Sequence, residues 1–391
     1  MTQMVPIGQQ PDTPPVAASG VDAAGGRKGE ATVAVAPQWK LVWWGFKRHR
    51  LAMAGLVVTL AIYLVAIFAE FLAPYSSGHY DPDYAYAPPQ RVHVVDNGDW
   101  GLFTYGYSAT QDPDTLALGW KTDKNKKIPI GLFVQGEKYK LFGLFPSDIH
   151  LIGPKGGAQA APIYLSGADR TGRDLFSRMI HGTRVSMSIG LVGVAVAFVL
   201  GVVLGGISGF FGGLIDGAIQ RTVEFFMSIP TLPLWLGLAA AMPPGWGPLK
   251  RYFAVTVILS MIAWTALARV VRSRFLSLRE EEFVTAARVD GASQPRIIFR
   301  HMMPSFSSYL IASLTLSIPH MILAETALSF LGLGLQAPVV SWGVLLQEAQ
   351  NIRAISTAPW LMLPGVLVVI AVLALNFLGD GLRDAADPYK H

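Results

Sequence analysis

Three ionisable side chains, Glu224, His320 and Glu325, lie within or beside long apolar runs of this sequence. An ionisable group in hydrocarbon is costly, and it usually faces a protein interior or a water-filled path. Glu224 follows Arg221 by three residues, a spacing that favours a local ion pair on one helix. For Glu325, structural pairing and the lining of a solute pathway both stay open. His320 could equally bond a backbone carbonyl that is freed by a kink at Pro319.

Residue patterns typical of catalytic or metal sites are missing. The sequence has no cysteine, which excludes disulfides and thiolate chemistry, and none of its eight histidines stands in a metal-binding spacing. It also lacks the phosphate-binding glycine loop that carries Lys and Ser or Thr. We therefore expect that the chain is not an enzyme and has no catalytic residue, no metal and no cofactor of its own.

Long apolar runs indicate a membrane protein. Of the 391 residues, 52% are hydrophobic and 15% are charged. A bilayer core of about 30 Å requires roughly 20 apolar residues as helix. The runs with this character are 51–73, 187–211, 225–242, 253–268, 308–335 and 360–378. We predict an all-α membrane fold of six spans, with kinks in the third and fifth at Pro230, Pro233 and Pro319.

The net charge of +5 is better explained by membrane orientation than by nucleic-acid binding, since no basic domain with interleaved aromatic residues is present. The basic residues that precede the first run predict a cytoplasmic N-terminus: Lys40, Lys47, Arg48, His49 and Arg50. Six crossings then return the C-terminus to the cytoplasm and place the arginine-rich connection 269–300 there. The arginines on the predicted outer side lie within a long loop before the second span, to which the charge rule does not apply.

The predicted organisation has five parts. Residues 1–38 form a disordered cytoplasmic tail, 39–73 a basic segment with the first span, 74–165 an extracytoplasmic insertion with short strands, 166–186 an interfacial helix, and 187–391 the membrane core. Thr171 and Asp174 have the spacing of a capping box at the start of the interfacial helix, and Gly182 is expected to close it.

The segment 281–304 mixes charged and apolar residues between the fourth and fifth runs. Its apolar residues form two groups at helical spacing, Phe283, Val284, Ala287 and Val289 before Gly291, and Ile297, Ile298 and Phe299 after it. Two short helices joined by a glycine turn would suit docking into a groove on a soluble partner. The alternatives are a solvated connection or a DNA-binding helix-turn-helix, and membrane spans at both ends disfavour the latter.

This segment resembles the signature loop of ABC-importer permeases, in which two alanines are followed by glycine and then by proline. The positions that match are Ala286, Ala287, Gly291 and Pro304. Thr285 replaces the family's acidic residue and His301 an aliphatic one, as in the dipeptide and oligopeptide branch. The resemblance implies that an ATPase docks on the loop, with Glu282, Thr285, Ile297, Arg300 and His301 contributing beside the matching positions.

Two further parts of the chain are similar to the same branch: residues 166–190 and, downstream, residues 324–338, 341–343 and 376–388. Their shared residues, for which we expect structural roles, are Gly172, Arg173, Asp174, Arg178 and Arg184 in 166–190, and Asn376, Gly379 and Asp380 in 376–388. The resemblance stops before Ser166, which leaves the role of most of the insertion open.

The resemblance implies half of a pore with the type I ABC-importer permease fold, in a bacterial inner membrane. The implied partners are a second homologous permease subunit, two ABC ATPase subunits that bind ATP and Mg, an extracytoplasmic solute-binding protein and the lipid bilayer. Di- or oligopeptides are the default solute, with oligosaccharides or nickel as alternatives. An ion-driven secondary transporter is a rival, although no inverted repeat is present. A membrane-anchored enzyme and a channel-like subunit are further rivals.

Overall fold

The computed structural model describes residues 38–96, 99–111, 118–157 and 160–386, so residues 1–37 of the tail predicted over 1–38 lie outside this part of the chain. The helices that concern us are α1 (Gln38–Arg48), α2 (Arg50–Ile67), α3 (Ala69–Leu72), α4 (Leu175–Phe211), α5 (Gly213–Ser228), α6 (Thr231–Ala240), α7 (Pro248–Leu278), α8 (Glu282–Val289), α9 (Ser307–Phe330), α10 (Trp342–Gln347), α11 (Ile352–Thr357) and α12 (Leu363–Ala386). Within the described residues, five helical segments are long and apolar enough to cross a membrane: α2, α4, α7, α9 and Pro359–Ala385, which contains most of α12.

The third predicted span is not a continuous helix. Helices α5 and α6 are bent by 86° relative to each other, and the count of spans reaches six only if this pair is one span. The break falls at Ile229, whose backbone is extended, and at Pro230, the capping residue before the new helix begins at Thr231. Since proline has no N–H and disfavours helical geometry in the residue before it, the predicted kink is a sharp break. By contrast, α9 continues through Pro319.

The predicted interfacial helix is wrong as a separate element, because α4 runs without interruption from Leu175 to Phe211. Gly182 does not close a helix. It lies where α4 approaches α10, and a Cβ there would lie 3.4 Å from Cδ1 of Trp342. Thr171 is not the cap either, since Asp174 takes that role by accepting a hydrogen bond from the Ser177 amide at 2.8 Å.

Four antiparallel strands form the insertion, in the order β1 (His93–Asp96), β2 (Asp99–Gln111), β3 (Leu118–Leu141) and β4 (Phe145–Pro154). The first half of β3 pairs with β2 and its second half pairs with β4. Ile128, Ile130 and Ile163 pack with Tyr75 from the chain just after α3. The sheet is therefore packed onto the end of the first membrane helix.

Close backbone contacts hold the helical bundle together. Gly201, Gly205 and Gly209 form a row on α4 that faces α7, and a Cβ at Gly205 would lie 2.4 Å from the carbonyl oxygen of Ala268. Small residues at this spacing allow helices to approach where no water drives them together. A Cβ at Gly55 of α2 would likewise lie 2.5 Å from the carbonyl oxygen of Ala374 in α12.

The bundle has two distinct ends. The insertion and the starts of α4 and α12 share one end, where the Trp360 indole donates to the carbonyl oxygen of Ala168 at 3.0 Å. The segment 281–304 lies at the other end, together with α1, whose buried Phe46 packs beside Ala385. We call these the insertion end and the loop end.

Candidate docking loop and membrane pathway

The segment 281–304 forms two helical pieces joined by a glycine turn. Helix α8 ends before Gly291, and Gln294–Arg296 then continues through a π-helical turn, Ile297–Met302, into Met303–Ser305. Gly291 has a φ of 75° and donates its amide to the carbonyl oxygen of Arg288 at 3.0 Å, while Ala292 donates to Ala287 at 3.0 Å. This left-handed position after a helix favours glycine.

The inner face of the loop is apolar and buried. Val284 and Met302 are fully buried and pack with side chains from the ends of three spans. The other members of this cluster are Ala287, Ile297, Val202, Phe210, Val271, Phe275, Phe306 and Leu310. The rings of Phe275 in α7 and Phe306 at the start of α9 are in edge contact with centroids 5.7 Å apart. The loop is therefore seated directly on α4, α7 and α9.

The outer face of the loop also carries apolar side chains. Phe283, Val289 and Phe299 are 42%, 83% and 67% exposed. The two predicted apolar groups are thus each divided between an inner and an outer face, because the loop packs on the bundle with only part of each group.

The predicted docking residues divide in the same way. Those that are exposed are Glu282, Thr285, Ala286, Gly291, Arg300 and Pro304. His301 is half-buried, whereas Ala287 and Ile297 are buried against the bundle. Ala287 and Ile297 therefore position the loop, and the exposed residues are free to contact a partner.

Glu325 is fully buried in a hydroxyl network that joins α4, α9 and α10. Its carboxylate accepts hydrogen bonds from Ser329 and Ser341 at 2.8 Å each and from Ser186 at 3.4 Å. The serine oxygens in turn accept backbone amides, such as that of Trp342 on Ser186 at 3.0 Å. Of the two roles left open by the sequence, this geometry favours structural pairing. All three serines lie in family-like stretches of the sequence, but sequence reasoning did not connect them with Glu325, because the fold alone brings Ser186 and Ser341 to it.

A cavity of about 230 Å³ lies among α4, α6, α7 and α9. Its lining includes Val194, Phe198, Trp235, Leu259, His320 and Met321. His320 is exposed and borders this cavity, whereas Glu325 is not among its lining residues. Glu224 lies elsewhere, in an exposed ion pair with Arg221 at 3.0 Å.

The family-like residues before α4 build a tight turn. Asp169 accepts hydrogen bonds from the amides of Thr171 and Arg173 at 2.8 and 3.0 Å, and its second oxygen pairs with buried Arg178. Gly172 has a φ of 76°, and a Cβ there would lie 1.7 Å from the carbonyl oxygen of Asp81. Sequence reasoning did not identify Asp169, because its partners become neighbours only through the turn.

Arg184 of α4 closes the end of the first span. Its guanidinium donates to the carbonyl oxygens of Ala66 at 2.8 Å and Ile67 at 3.0 Å, and to the Glu70 carboxylate at 2.6 Å. It thereby satisfies carbonyl groups that the C-terminus of α2 leaves unpaired.

The C-terminal family-like residues lie on α12. Gly379 is buried, and a Cβ there would lie 2.6 Å from the side chain of Leu316 in α9. Asn376 is half-buried and Asp380 is exposed. Gly379 thus allows α12 to approach α9.

Comparison with known proteins identifies the family. Residues 201–390 match the model of the binding-protein-dependent transport system inner membrane component. A putative peptide permease protein of Brucella ovis is 38% identical over 246 residues, which are 62% of this chain and 78% of that protein. The chain belongs to this family of transport permeases. It is a permease subunit of a binding-protein-dependent ABC transport system, with the type I importer permease fold.

Two further relatives are named as peptide transport permeases. The dipeptide transport system permease protein DppC of Bacillus subtilis is 37% identical over 57% of this chain and 68% of that protein. The oligopeptide transport system permease protein OppC of the same organism is 34% identical over 57% of this chain and 70% of that protein. Among solved structures, the inward-facing MetNI methionine ABC transporter is 20% identical, with a TM-score of 0.43, over 54% of this chain and 96% of that chain.

A second family model matches a part of the chain that the sequence motifs did not cover. Residues 37–89 match the N-terminal TM domain of oligopeptide transport permease C, so the expectation that the resemblance stops before Ser166 is wrong. The reason is that α1 and α2 consist mainly of apolar helix, which has no distinctive motif. Residues 90–200, which contain the whole sheet, lie outside both matches.

Proposed function

We propose that this permease forms half of the pathway of an ATP-driven importer of di- or oligopeptides, and that segment 281–304 couples it to an ATPase. The peptide assignment is supported by the names of the Brucella ovis and Bacillus subtilis relatives. The alternatives are the same machinery for oligosaccharides or nickel. The observation that carries the coupling role is the two-faced loop, apolar and exposed outside yet buried on three spans inside.

The packing of the loop would transmit force from an ATPase to the membrane helices. Two ATPase subunits, which would bind ATP and Mg, would close on each other and press on the outer face near Phe283 and Phe299. Because Val284 and Met302 are packed among the ends of α4, α7 and α9, displacement of the loop must displace those helices. The same three helices border the cavity beside His320. Their displacement would therefore switch the pathway between inward-open and outward-open states.

The remaining partners follow from the two ends of the bundle. A second, homologous permease would complete the pore, and a solute-binding protein would deliver the peptide at the insertion end. The basic residues in the last turn of α1, and Arg272 and Arg274 in the last third of α7, lie at the loop end, which favours a cytoplasmic position for that end and for both termini.

Ion-driven secondary transport is the weaker candidate. Such a transporter binds its coupling ion near the substrate, yet the described cavity lining contains His320 as its one ionisable residue. Glu325 is already engaged by three serines.

Reconstitution tests the proposal. The assembled transporter in proteoliposomes, with its binding protein, should accumulate labelled dipeptides or oligopeptides only when ATP is supplied. Gly291→Pro should abolish uptake while the chain stays inserted and assembled. Proline cannot adopt the φ of 75°, and it has no amide N–H to donate to the carbonyl oxygen of Arg288.

The matched control is Gly156→Pro, which disturbs another positive-φ glycine, at 118°, in the insertion. We expect the control to retain uptake. Normal uptake by Gly291→Pro, or uptake without any ATPase, would overturn the coupling role.

A further inference from the structure

The tip of the β3–β4 hairpin, residues 141–145, is apolar and exposed. Phe142, Leu144 and Phe145 are 50%, 75% and 63% exposed. Leu132 and Phe133, further back on β3, are 58% and 66% exposed. Apolar groups concentrated in this way normally mark a surface that is covered in the working protein.

Contacts place this surface beside the first span. The ring of Phe142 is 5.9 Å from that of Phe68, and the ring of Phe133 is 6.0 Å from that of Phe71. Phe68 directly follows α2, and Phe71 lies in α3. The hairpin tip therefore lies at the level where the first span ends.

The exposed apolar side of α2 ends beside the hairpin tip. Its exposed apolar residues follow helical spacing, at Val57, Leu60, Leu64 and Ile67, and the series continues with Phe68. An exposed apolar row on a membrane-spanning helix suits contact with lipid, and the ring of Phe142 lies against the end of this row at Phe68.

The backbone holds the two aromatic rings in place. Phe133 and Phe142 have φ values of 54° and 55°, which are costly for bulky side chains. The sheet is also tied to the end of the span, because the Nδ1 atom of the buried His150 is in a hydrogen bond of 2.6 Å with the carbonyl oxygen of Ala73. The Tyr75 hydroxyl also accepts the amide of Ile163 at 2.8 Å. The tip is therefore fixed beside the span.

We propose that this hairpin tip enters the interface of the lipid bilayer and anchors the insertion to the membrane around the end of α2. Phe142, Leu144 and Phe145 would lie among the upper acyl chains. The exposed Lys138 and Lys140, just before the tip, would meet lipid phosphates. The inference goes beyond the transport role and requires only that α2 spans the membrane.

Because the sequence has no cysteine, single labelling sites test the proposal. Leu144→Cys carries a nitroxide in the assembled transporter, in nanodiscs of zwitterionic and anionic phospholipid. Its collision rates with oxygen, which is concentrated in lipid, and with a water-soluble nickel chelate are compared. Leu60→Cys on α2 is the lipid-exposed reference, and Ala109→Cys, exposed on β2, is the water-exposed reference.

We expect the ratio of oxygen to nickel collisions at Leu144 to rise well above that at Ala109 and to approach that at Leu60. Phe145→Cys, also exposed, provides a second site with the same expectation. A ratio equal to that at Ala109 would overturn the proposal, since the tip would then lie in water. Low collision rates with both reagents would also overturn it, because another subunit would then cover the tip.

Discussion

At the scale of single residues, the surroundings of the buried Glu325 carboxylate bear on which of its two predicted roles it has. Glu325 lies in an apolar run, which left two roles open. The structure surrounds it with three serine hydroxyls, each of which also accepts a backbone amide. The carboxylate thus organises the junction of α4, α9 and α10. Its environment is complete without a solute.

Replacement of Glu325 should therefore affect stability first. Glu325→Ala leaves three buried hydroxyls without their acceptor, and we expect a loss of about 3 kcal/mol or more in the free energy of unfolding. Glu325→Gln keeps one acceptor oxygen and should cost less. The thermal midpoint of the purified protein, followed by tryptophan fluorescence, measures the difference.

The control is Glu224→Ala, which removes an exposed ion pair with Arg221. Its effect should be about 0.5 kcal/mol or less. If Glu325→Ala kept the wild-type midpoint but lost uptake, the carboxylate would belong to the pathway instead.

At the scale of helices and strands, two neighbouring glycines on α4 give a sharp comparison. A Cβ at Gly205 would lie 2.4 Å from the Ala268 carbonyl oxygen, whereas at Gly206 it would lie 3.5 Å from the Phe275 ring, which is ordinary contact. Gly205→Ala should separate α4 from α7 and lower the thermal midpoint. Gly206→Ala should be neutral or stabilise by up to about 1 kcal/mol, since alanine favours helix. Equal midpoints for the two variants would show that the close approach is not required.

The ion pair between His79 and Glu137 ties β3 to the turn after α3, with the His79 Nδ1 and Glu137 Oε1 atoms 2.5 Å apart. The hydrogen bond between them raises the pKa of His79 and lowers the pKa of Glu137 to about 2, and Asp81 and Asp174 add to the rise at His79. The stability from His79 is present below its unfolded pKa of about 6.5 and is lost as pH rises through the raised value. That from Glu137 is present above about 4.5 and is lost as pH falls toward its lowered pKa.

The attachment should therefore be firmest between about pH 4.5 and 6.5. Hydrogen exchange in a peptide that covers residues 74–80, corrected for intrinsic rates, should show more protection at pH 6 than at pH 9. His79→Gln should remove this pH dependence. If the variant kept the same dependence, another group would be responsible.

Sequence patterns predicted helices better than their junctions. The positions of five long apolar helices followed from the length of the apolar runs, and the glycine turn at Gly291 followed from backbone preference. Of the kinks predicted at Pro230 and Pro233, the break occurs at Pro230, whereas Pro233 lies inside α6; the angle of 86° depends on how α6 packs. Gly182 was taken for a helix end because glycine serves both as a terminator and as a packing residue. Only the proximity of Trp342 decides between these roles.

At the scale of the whole molecule, the two ends of the permease differ. The insertion and its sheet occupy one end, and α1 and the loop 281–304 occupy the other, with basic residues such as Lys47 and Arg48 in the last turn of α1. The proposed transport cycle needs this separation, because solute would arrive at one side and the force of ATPase closure at the other. The positive-inside rule then predicts which end faces the cytoplasm.

Thiol labelling tests that orientation directly. Ala109→Cys in the insertion and Ser293→Cys in the loop each place one exposed thiol in a sequence without cysteine. In spheroplasts, a membrane-impermeant maleimide should label Ala109→Cys at once and Ser293→Cys only after the membrane is permeabilised, because the charge rule places the loop in the cytoplasm. In inside-out vesicles the order should reverse. Labelling of Ser293→Cys in intact spheroplasts would place the loop outside, where no ATPase could reach it, and would contradict the proposed coupling.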